Sequence, residues 1–308
     1  MTAPASHGSR PVRLIALMNQ KGGVGKTTTT VNLGAAFARA GRPTLIIDLD
    51  PQSHATLHLG VDPHTVEHSV YDLLLDPGAD ARSVIREVSP NLFLIPSHTD
   101  LAAAESELST GVNRDRRMEQ ILAGLGGRFE FVLIDCPPSL GLLTLNALTA
   151  AREVLIPMQA HFLALQGVGK LLETVALVTR ANNPRLRVSG VVLCMHDATA
   201  THTREVVADL DAFFEHARND AADVAWKHAR VYRPPVRRNI KLAECPSYGK
   251  TIFDYAPGAS GAEDYARLGE VMLHDWDSML ARRAAEAEAP APPAVVVPAS
   301  AERARVPA

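Results

Sequence analysis

The chain has 308 residues, with little cysteine and almost no net charge. Its three cysteines, Cys136, Cys194 and Cys245, are odd in number and far apart, which disfavours a disulfide framework or a cysteine metal cluster and favours a reducing cytoplasm. The net charge of −3 excludes nucleic-acid binding through an overall basic excess, so any such surface must be local. The sequence has neither a run of roughly eighteen apolar residues, as a membrane span needs, nor a signal sequence. We therefore expect a cytoplasmic protein without a membrane partner.

Two pairs of histidines have the i,i+4 spacing that places imidazoles on one face of a helix. They are His54 with His58 and His64 with His68. Because neither pair is completed to a regular set of metal ligands, we predict no metal site at these histidines.

The composition changes at both ends of the chain. Residues 1–11 are predicted to form a short disordered leader. Residues 284–308 are rich in Ala, Pro, Glu and Val, a composition that buries too little apolar surface to fold, so a disordered tail is predicted. The 46% of hydrophobic residues is enough for a sizeable core. We therefore predict a single domain over residues 12–283.

The clearest chemical signal is the loop Asn19–Thr28. An apolar run, Leu14–Met18, precedes it and a helical pattern, Thr29–Ala40, follows it, so the loop joins a strand to a helix. Glycines let backbone N–H groups surround phosphate oxygens at the N-terminus of the helix, Lys26 can bridge terminal phosphates, and Thr27 can place a hydroxyl on Mg²⁺. The predicted nucleotide-binding residues of the loop are Gly22, Gly23, Val24, Gly25, Lys26, Thr27 and Thr28. Lys21 stands where the ordinary P-loop pattern has its first glycine, and it is either a solvated charge or a second phosphate ligand. A nucleoside triphosphate with magnesium is the predicted substrate.

Two further apolar strands end in acidic residues. Pro43–Ile47 leads into Asp48 and Asp50, and Phe131–Ile134 leads into Asp135. Open parallel sheets bind ligands at the carboxyl ends of their strands. One acid there can hold magnesium, usually through water, while another orients the attacking water. We predict Asp135, with the loop threonine, as a metal ligand. Of Asp48 and Asp50, one would join the metal ligands and the other would be catalytic.

Strand and helix patterns alternate along the chain and predict an α/β fold, a doubly wound, mostly parallel sheet with helices on both faces. Later strands are predicted at Leu92–Ile95, Val154–Pro157 and Val188–Cys194. Helices are predicted at Ser69–Leu75, Ala81–Val88, Leu101–Leu108, Arg114–Leu125, Gly141–Ala150, Leu165–Ala181, Thr203–Arg218 and Gly261–Leu280.

The only marked local basic excess of the sequence lies between Trp226 and Lys250. This segment contains seven lysines and arginines and only one acid, Glu244. A charge cluster of this kind is usually a solvated face. The alternative is a surface for nucleic-acid phosphates.

Three motifs together carry a family resemblance: Lys-Gly-Gly-Val-Gly-Lys-Thr-Thr from Lys21, Asp-Leu-Asp-Pro-Gln from Asp48, and Asp-Cys-Pro-Pro-Ser-Leu-Gly from Asp135. In order and spacing they resemble the ParA/MinD superfamily of deviant Walker A ATPases. The resemblance covers about residues 12 to 280 and is greatest to the small chromosomal ParA type, often called Soj. It implies ATP and Mg²⁺ as cofactors and a homodimer that forms when ATP is bound.

The resemblance assigns roles to individual residues. Lys21 would reach the partner subunit's nucleotide and, with Lys26, serve catalysis, and Asp50 would activate water. Met195, Asn239 and Pro246 would lie near the base. The predicted DNA-contacting residues are Arg204, Arg237, Arg238, Lys241 and Lys250. The family arginine after the Met-x-Asp segment is replaced by Thr199, and the stretch Ala217–Val231 is longer than usual.

The implied function is DNA partitioning, in which an ATP-bound dimer binds double-stranded DNA without sequence preference and a ParB-like partner stimulates hydrolysis. The protein would then be cytoplasmic and associated with the nucleoid. One alternative is positioning of another cargo, such as a chemoreceptor array or a microcompartment. A MinD-like membrane ATPase is less favoured, because the last residues are broken by proline. A nitrogenase iron-protein type is rejected, because Cys136 has no second cysteine spaced with it.

Overall fold

The computed structural model describes residues 11–109, 111 and 113–288. The predicted leader therefore lies outside the described residues except at Pro11, and the predicted tail lies outside them from residue 289 onward. Residues 284–288 of that tail are helical, because Ala and Glu are strong helix formers. The chain divides into two units, Met1–Leu273 and His274–Ala308. The first unit ends ten residues before the predicted domain boundary.

A sheet of eight strands forms the centre of the first unit, in the spatial order β3-β4-β2-β5-β1-β6-β7-β8. All neighbouring strands are parallel except β3 and β4. The strands are β1 (Arg13–Leu17), β2 (Thr44–Asp48), β3 (Arg86–Ser89), β4 (Leu92–Ile95), β5 (Phe131–Asp135), β6 (Glu153–Met158), β7 (Arg187–Leu193) and β8 (Arg230–Tyr232). The α/β fold with a mostly parallel sheet is thus confirmed.

Twelve α-helices are described along the chain. They are α1 (Lys26–Arg39), α2 (His54–His58), α3 (Val70–Leu75), α4 (Ala81–Val84), α5 (Leu101–Leu108), α6 (Arg117–Gly124), α7 (Leu142–Ala150), α8 (Phe162–Ala181), α9 (Thr201–Asn219), α10 (Ile240–Glu244), α11 (Ile252–Tyr255) and α12 (Ser260–Glu288). Short 3₁₀ helices lie at Pro63–Thr65 and Cys245–Tyr248. None of the described helices is long and apolar enough to cross a membrane.

The helix predicted over Ala81–Val88 is wrong in its second half. Helix α4 ends at Val84, and β3 then pairs antiparallel with β4 as an edge strand. Asn91, in the left-handed conformation at φ 62°, allows the tight reversal between the two strands. Strand β8 and helices α10 and α11 were not predicted, because segments of three to five residues give little periodic signal.

The register of the central strands positions the site. Leu17 of β1 and Asp48 of β2 both pair with Asp135 of β5. The phosphate-binding loop and both acidic motifs therefore start from the same edge of the sheet. Helix α1 lies close against this sheet at Gly34, where an added Cβ would come within 2.9 Å of Ile46.

Candidate active site

The loop after β1 has the backbone that phosphate binding requires. Gly23 and Gly25 adopt φ of 69° and 95°, a left-handed conformation that L-residues with side chains rarely adopt. A Cβ at Gly25 would also lie 3.2 Å from the Cβ and Sγ atoms of Cys194. Helix α1 begins directly after this glycine, so its free N–H groups face the loop. Lys26, its first residue, is buried.

Asp135 is held by two threonines of α1. The Thr27 hydroxyl donates to Oδ2 at 2.7 Å, and the Thr30 hydroxyl donates to Oδ1 at 2.8 Å. The predicted Thr27 and Asp135 are therefore in direct contact. Thr30 was not predicted, although it lies one helical turn after Lys26, whose carbonyl its hydroxyl also contacts at 3.1 Å.

Asp48 is fully buried, and its carboxylate is bonded to the middle of the next helix, α2. Oδ2 accepts hydrogen bonds from the backbone N–H of Thr56 at 2.8 Å and from its hydroxyl at 2.7 Å. Oδ1 accepts from the N–H of Asp50 at 3.2 Å. The same Thr56 hydroxyl accepts the N–H of Ser97 at 2.9 Å. Neither Thr56 nor Ser97 was predicted.

Asp48 and Asp135 form a buried pair of acids on neighbouring strands. Burial raises the pKa of both carboxyl groups, and the charge of Asp135 raises the pKa of Asp48 further. Hydrogen bonds from Thr27 and Thr30 and the charge of Lys26 act in the opposite direction on the pKa of Asp135. Mg²⁺ takes oxygen ligands and is usually held by one or two carboxylates together with phosphates. This arrangement fits the predicted metal ligands, because a divalent cation would relieve the repulsion between the two acids.

Asp50, the predicted catalytic acid, is 7% exposed. Its Oδ1 accepts the N–H of Gln52 at 3.0 Å, and its backbone carbonyl accepts the hydroxyl of Ser97 at 2.8 Å. These two hydrogen bonds hold the backbone around Asp50 in place. A group that orients a water molecule has to be held in this way.

Lys21 lies outside the cradle formed by its own loop. Its side chain is exposed, and Nζ lies 2.8 Å from Nε2 of His161. Its backbone N–H donates to the Oδ1 of Asn19, whose side-chain amide in turn donates to the carbonyl of Pro157. The two lysines of the loop thus differ in environment, since Lys26 is buried and Lys21 faces solvent.

A small cavity of about 110 Å³ lies beside the phosphate loop. Two of the residues predicted near the base, Met195 and Asn239, line it. Its lining is Gly25, Thr28, Cys194, Met195, Val236, Arg237, Asn239, Leu242, Ala243 and Tyr265. Pro246 is not among these residues, so its contact with the base stays a prediction. The buried hydroxyl of Tyr265 lies 3.0 Å from that of Thr29 on α1, a contact between distant parts of the chain that sequence reasoning missed.

The predicted DNA residues differ in how far their charges are already neutralised. Arg237 makes ion pairs with the buried Asp264 at 2.7 Å and with Glu263 at 2.8 Å. Lys241 pairs with Glu244 at 2.8 Å. Arg237 therefore has a structural role that the prediction of a simple DNA contact did not include.

The remaining predicted DNA residues are exposed. Arg204 donates to the Ala198 carbonyl and the Thr201 hydroxyl, both at 3.2 Å. Arg238 and Lys250 are exposed, and among the described residues neither of these side chains pairs with a carboxylate.

The three cysteines are buried and free of disulfides. Burial raises the pKa of each thiol, to about 11 for Cys194 and Cys245. Among the described residues, no group of three His, Cys, Asp or Glu side chains is arranged to hold a metal ion. His58 belongs to one of the histidine pairs at which no metal site was predicted. Its side chain is buried beside the backbone of Lys250.

Comparison with known proteins agrees with this geometry. Residues 12–188 match a family model described as an AAA domain. The sporulation initiation inhibitor protein Soj of Bacillus subtilis is 42% identical over 259 residues, which are 84% of this chain and 97% of the relative. The chromosome partitioning protein ParA of Myxococcus xanthus is 40% identical over 278 residues, 89% of this chain and 92% of the relative.

Among solved structures, a cobyrinic acid a,c-diamide synthase from Mycobacterium smegmatis with bound ADP and magnesium is 36% identical, with a TM-score of 0.71. The match covers 87% of this chain and 96% of that one. The chain therefore belongs to the Soj/ParA family of chromosome-partitioning ATPases, as its deviant Walker A loop predicted.

Proposed function

We propose that this ATPase is a DNA-partitioning switch whose ATP-bound form is a dimer. The observation that carries this proposal is the position of Lys21, which is exposed and directed at His161 while Lys26 serves the loop. A lysine placed at the rim of a phosphate site is available to the triphosphate of a second subunit. ATP, and not ADP, would then shift the balance from monomer to dimer, because only the dimer binds the triphosphate from both sides.

ATP hydrolysis rests on the residues around the two buried acids. Mg²⁺, when bound, would neutralise charge on the phosphates, and Thr27, Asp48 and Asp135 would hold it. Lys26 binds the phosphates and Asp50 orients the attacking water. These side chains act by positioning and charge neutralisation, without covalent bonds to the substrate. A ParB-like partner that improves this positioning would raise a slow basal turnover.

Non-specific binding of double-stranded DNA is the second part of the proposal. Phosphate contacts carry affinity without sequence information. Arg238 and Lys250 are exposed and make no ion pair within the described residues, and Arg204 lies exposed near the position of the missing family arginine. Two such weak surfaces on one dimer bind far more tightly than either alone, which makes DNA binding conditional on ATP.

The names of the relatives favour partitioning. The two curated relatives at 40% and 42% identity carry the names ParA and Soj, and one is named a chromosome partitioning protein. The solved structure at 36% identity is named a cobyrinic acid a,c-diamide synthase. Its bound ADP and magnesium support the nucleotide site, and the partitioning role rests on the curated relatives.

Sedimentation of the Asp50→Ala protein with ATP and Mg²⁺ tests the dimer. We expect a dimer with ATP and a monomer with ADP. Lys21→Ala in this background should abolish the dimer, whereas Lys170→Ala, which removes another exposed lysine, should leave it intact. A Lys21→Ala protein that dimerises like the Lys170→Ala control would refute the role of this lysine.

A further inference from the structure

Helix α2 is tied to the buried acid of the magnesium site. It follows the catalytic acid at Asp50 after only three residues. Asp48 accepts both the N–H and the hydroxyl of Thr56, which lies in the middle of α2. Both residues are fully buried. A change in the position of Asp48 therefore acts directly on this helix.

The turn that follows α2 is in backbone contact with a distant part of the chain. A Cβ placed on Gly249 would lie 2.7 Å from the Cα of Gly60, and a Cβ placed on Gly60 would lie 3.1 Å from the Gly249 carbonyl oxygen. The His58 side chain is 1% exposed and lies beside the backbone of Lys250, and its Nε2 has no hydrogen-bond partner within the described residues. The two backbones touch at this point, so neither side can move toward the other without displacing it.

Gly249 and Lys250 end the segment that carries the proposed DNA contacts. We call residues 236–250 the basic segment. Its turns are connected in series: the Cys245 thiol contacts the Lys241 carbonyl at 3.0 Å, and the Lys250 N–H donates to the Cys245 carbonyl at 3.3 Å. At its other end the basic segment contributes Asn239 to the cavity beside the phosphate loop. Elements of the nucleotide site thus contact the basic segment at both ends.

From this chain of contacts we propose that α2 transmits the occupation of the nucleotide and magnesium site to the basic segment, and that His58 and Gly249 are the positioning residues at the junction. The part of this inference that concerns DNA affinity rests on the proposed DNA-binding function. Thr56 links α2 to the buried acid, and the contact of Gly60 with Gly249 passes a shift of α2 to the lysine and arginine side chains beyond it. The basic segment would present its charges in the DNA-binding arrangement only when the site is filled.

Gly249→Ala is the main variant, because its Cβ would push α2 and the basic segment apart. Gly249 has φ of 61° and Gly41 has φ of 79°, but a Cβ at Gly41 would meet nothing within 4 Å. Gly41→Ala is therefore a matched control that introduces the same backbone strain without touching the junction. His58→Phe is a second variant, which places a larger, apolar ring beside the backbone of Lys250 and so enlarges the junction from the side of α2.

Two measurements on the full chain with a non-hydrolysable ATP analogue and Mg²⁺ test the proposal. The first is hydrogen exchange of peptides covering residues 245–250, with and without nucleotide. The second is the affinity for a random-sequence DNA duplex with the analogue and with ADP. In Gly249→Ala and His58→Phe we expect the nucleotide-dependent change in exchange to disappear and the ratio of the two DNA affinities to fall about tenfold, which is about 1.4 kcal/mol.

The Gly41→Ala control should behave like the wild-type protein in both measurements. If Gly249→Ala and His58→Phe also keep the wild-type exchange response and affinity ratio, the transmission through α2 is refuted. The same holds if nucleotide leaves the exchange of residues 245–250 unchanged in the wild-type protein. If the exchange responds to nucleotide but DNA affinity does not, the proposed DNA-binding function fails, and the exchange data alone decide the inference.

Discussion

Replacing Thr56 by Val tests how strongly the magnesium site depends on a residue outside the motifs. Valine keeps the shape of threonine and removes the hydroxyl, which donates to Asp48 at 2.7 Å and accepts the N–H of Ser97 at 2.9 Å. A hydrogen bond to a charged group is worth about 1.5–3 kcal/mol, and leaving a buried N–H unsatisfied costs about 1–3 kcal/mol. We therefore expect a loss of roughly 3–5 kcal/mol in the free energy of unfolding.

For a chain of this size, 1 kcal/mol corresponds to about 2 °C in Tm, so a fall of roughly 6–10 °C is expected. Thermal unfolding without nucleotide measures it. Thr56→Ser is the matched control, since it keeps the hydroxyl and loses only a methyl group, for about 1 kcal/mol. If Thr56→Val and Thr56→Ser melt at the same temperature, the hydroxyl does not stabilise the folded state through Asp48.

The same substitution has a pH signature with a definite sign. Burial, then the charge of Asp135, raises the pKa of Asp48 in the folded state, and the Thr56 hydroxyl opposes this. A carboxyl group whose folded pKa is raised stabilises the protein at low pH and loses that contribution as pH rises through the folded pKa. Thr56→Val raises this pKa further. The fall in Tm between the acidic range and neutral pH should therefore be larger in Thr56→Val than in Thr56→Ser, and added Mg²⁺ should reduce it.

Three further predictions concern single side chains. Asp50→Ala should lower stimulated ATP turnover by roughly two to four powers of ten while ATP affinity is kept, and steady-state kinetics with nucleotide titration measure both. Arg238→Ala should flatten the log–log salt dependence of DNA binding by about one unit, because it removes one phosphate contact; an unchanged slope would remove this arginine from the DNA surface. Arg237→Ala should instead lower the Tm by several degrees, because it leaves the buried Asp264 without its ion-pair partner, and a variant as stable as Arg238→Ala would contradict that role.

The sequence predicted the phosphate loop and both acidic motifs because each is a short segment whose chemistry depends on residues close together in the chain. Buried parallel strands are continuous apolar runs, which is why β1, β2 and β5 were predicted. Strand β3 was assigned to a helix because Arg86–Ser89 has no apolar run. It is an edge strand whose first two residues are exposed and whose last two are half-buried. Its pairing with β4 decides its conformation, and that pairing is absent from any local pattern.

The residues that prediction missed share one property, which is that their partners are far away in the chain. Thr56 contacts Ser97, Thr29 contacts Tyr265, and Gly60 contacts Gly249. Local sequence gives no sign of these pairs, because a threonine or glycine is common in any loop or helix end. The positive charge available for DNA is overestimated from the sequence for the same reason. The basic excess of the sequence includes Arg237, whose charge is largely balanced by Asp264 and Glu263.

The number of basic residues in the sequence and the number without an ion pair in the structure predict different strengths of DNA binding. Of the five predicted contacts, Arg237 and Lys241 are already ion-paired, and a paired cation releases fewer counterions when it meets a phosphate. If only the unpaired cations contribute, each subunit brings about two or three phosphate contacts and a dimer about five, for a log–log salt slope near −4 to −5. Were the paired residues released as well, the slope would be steeper by about two units per subunit. The salt slope of the ATP-bound dimer therefore measures whether the ion pairs of Arg237 and Lys241 persist on DNA.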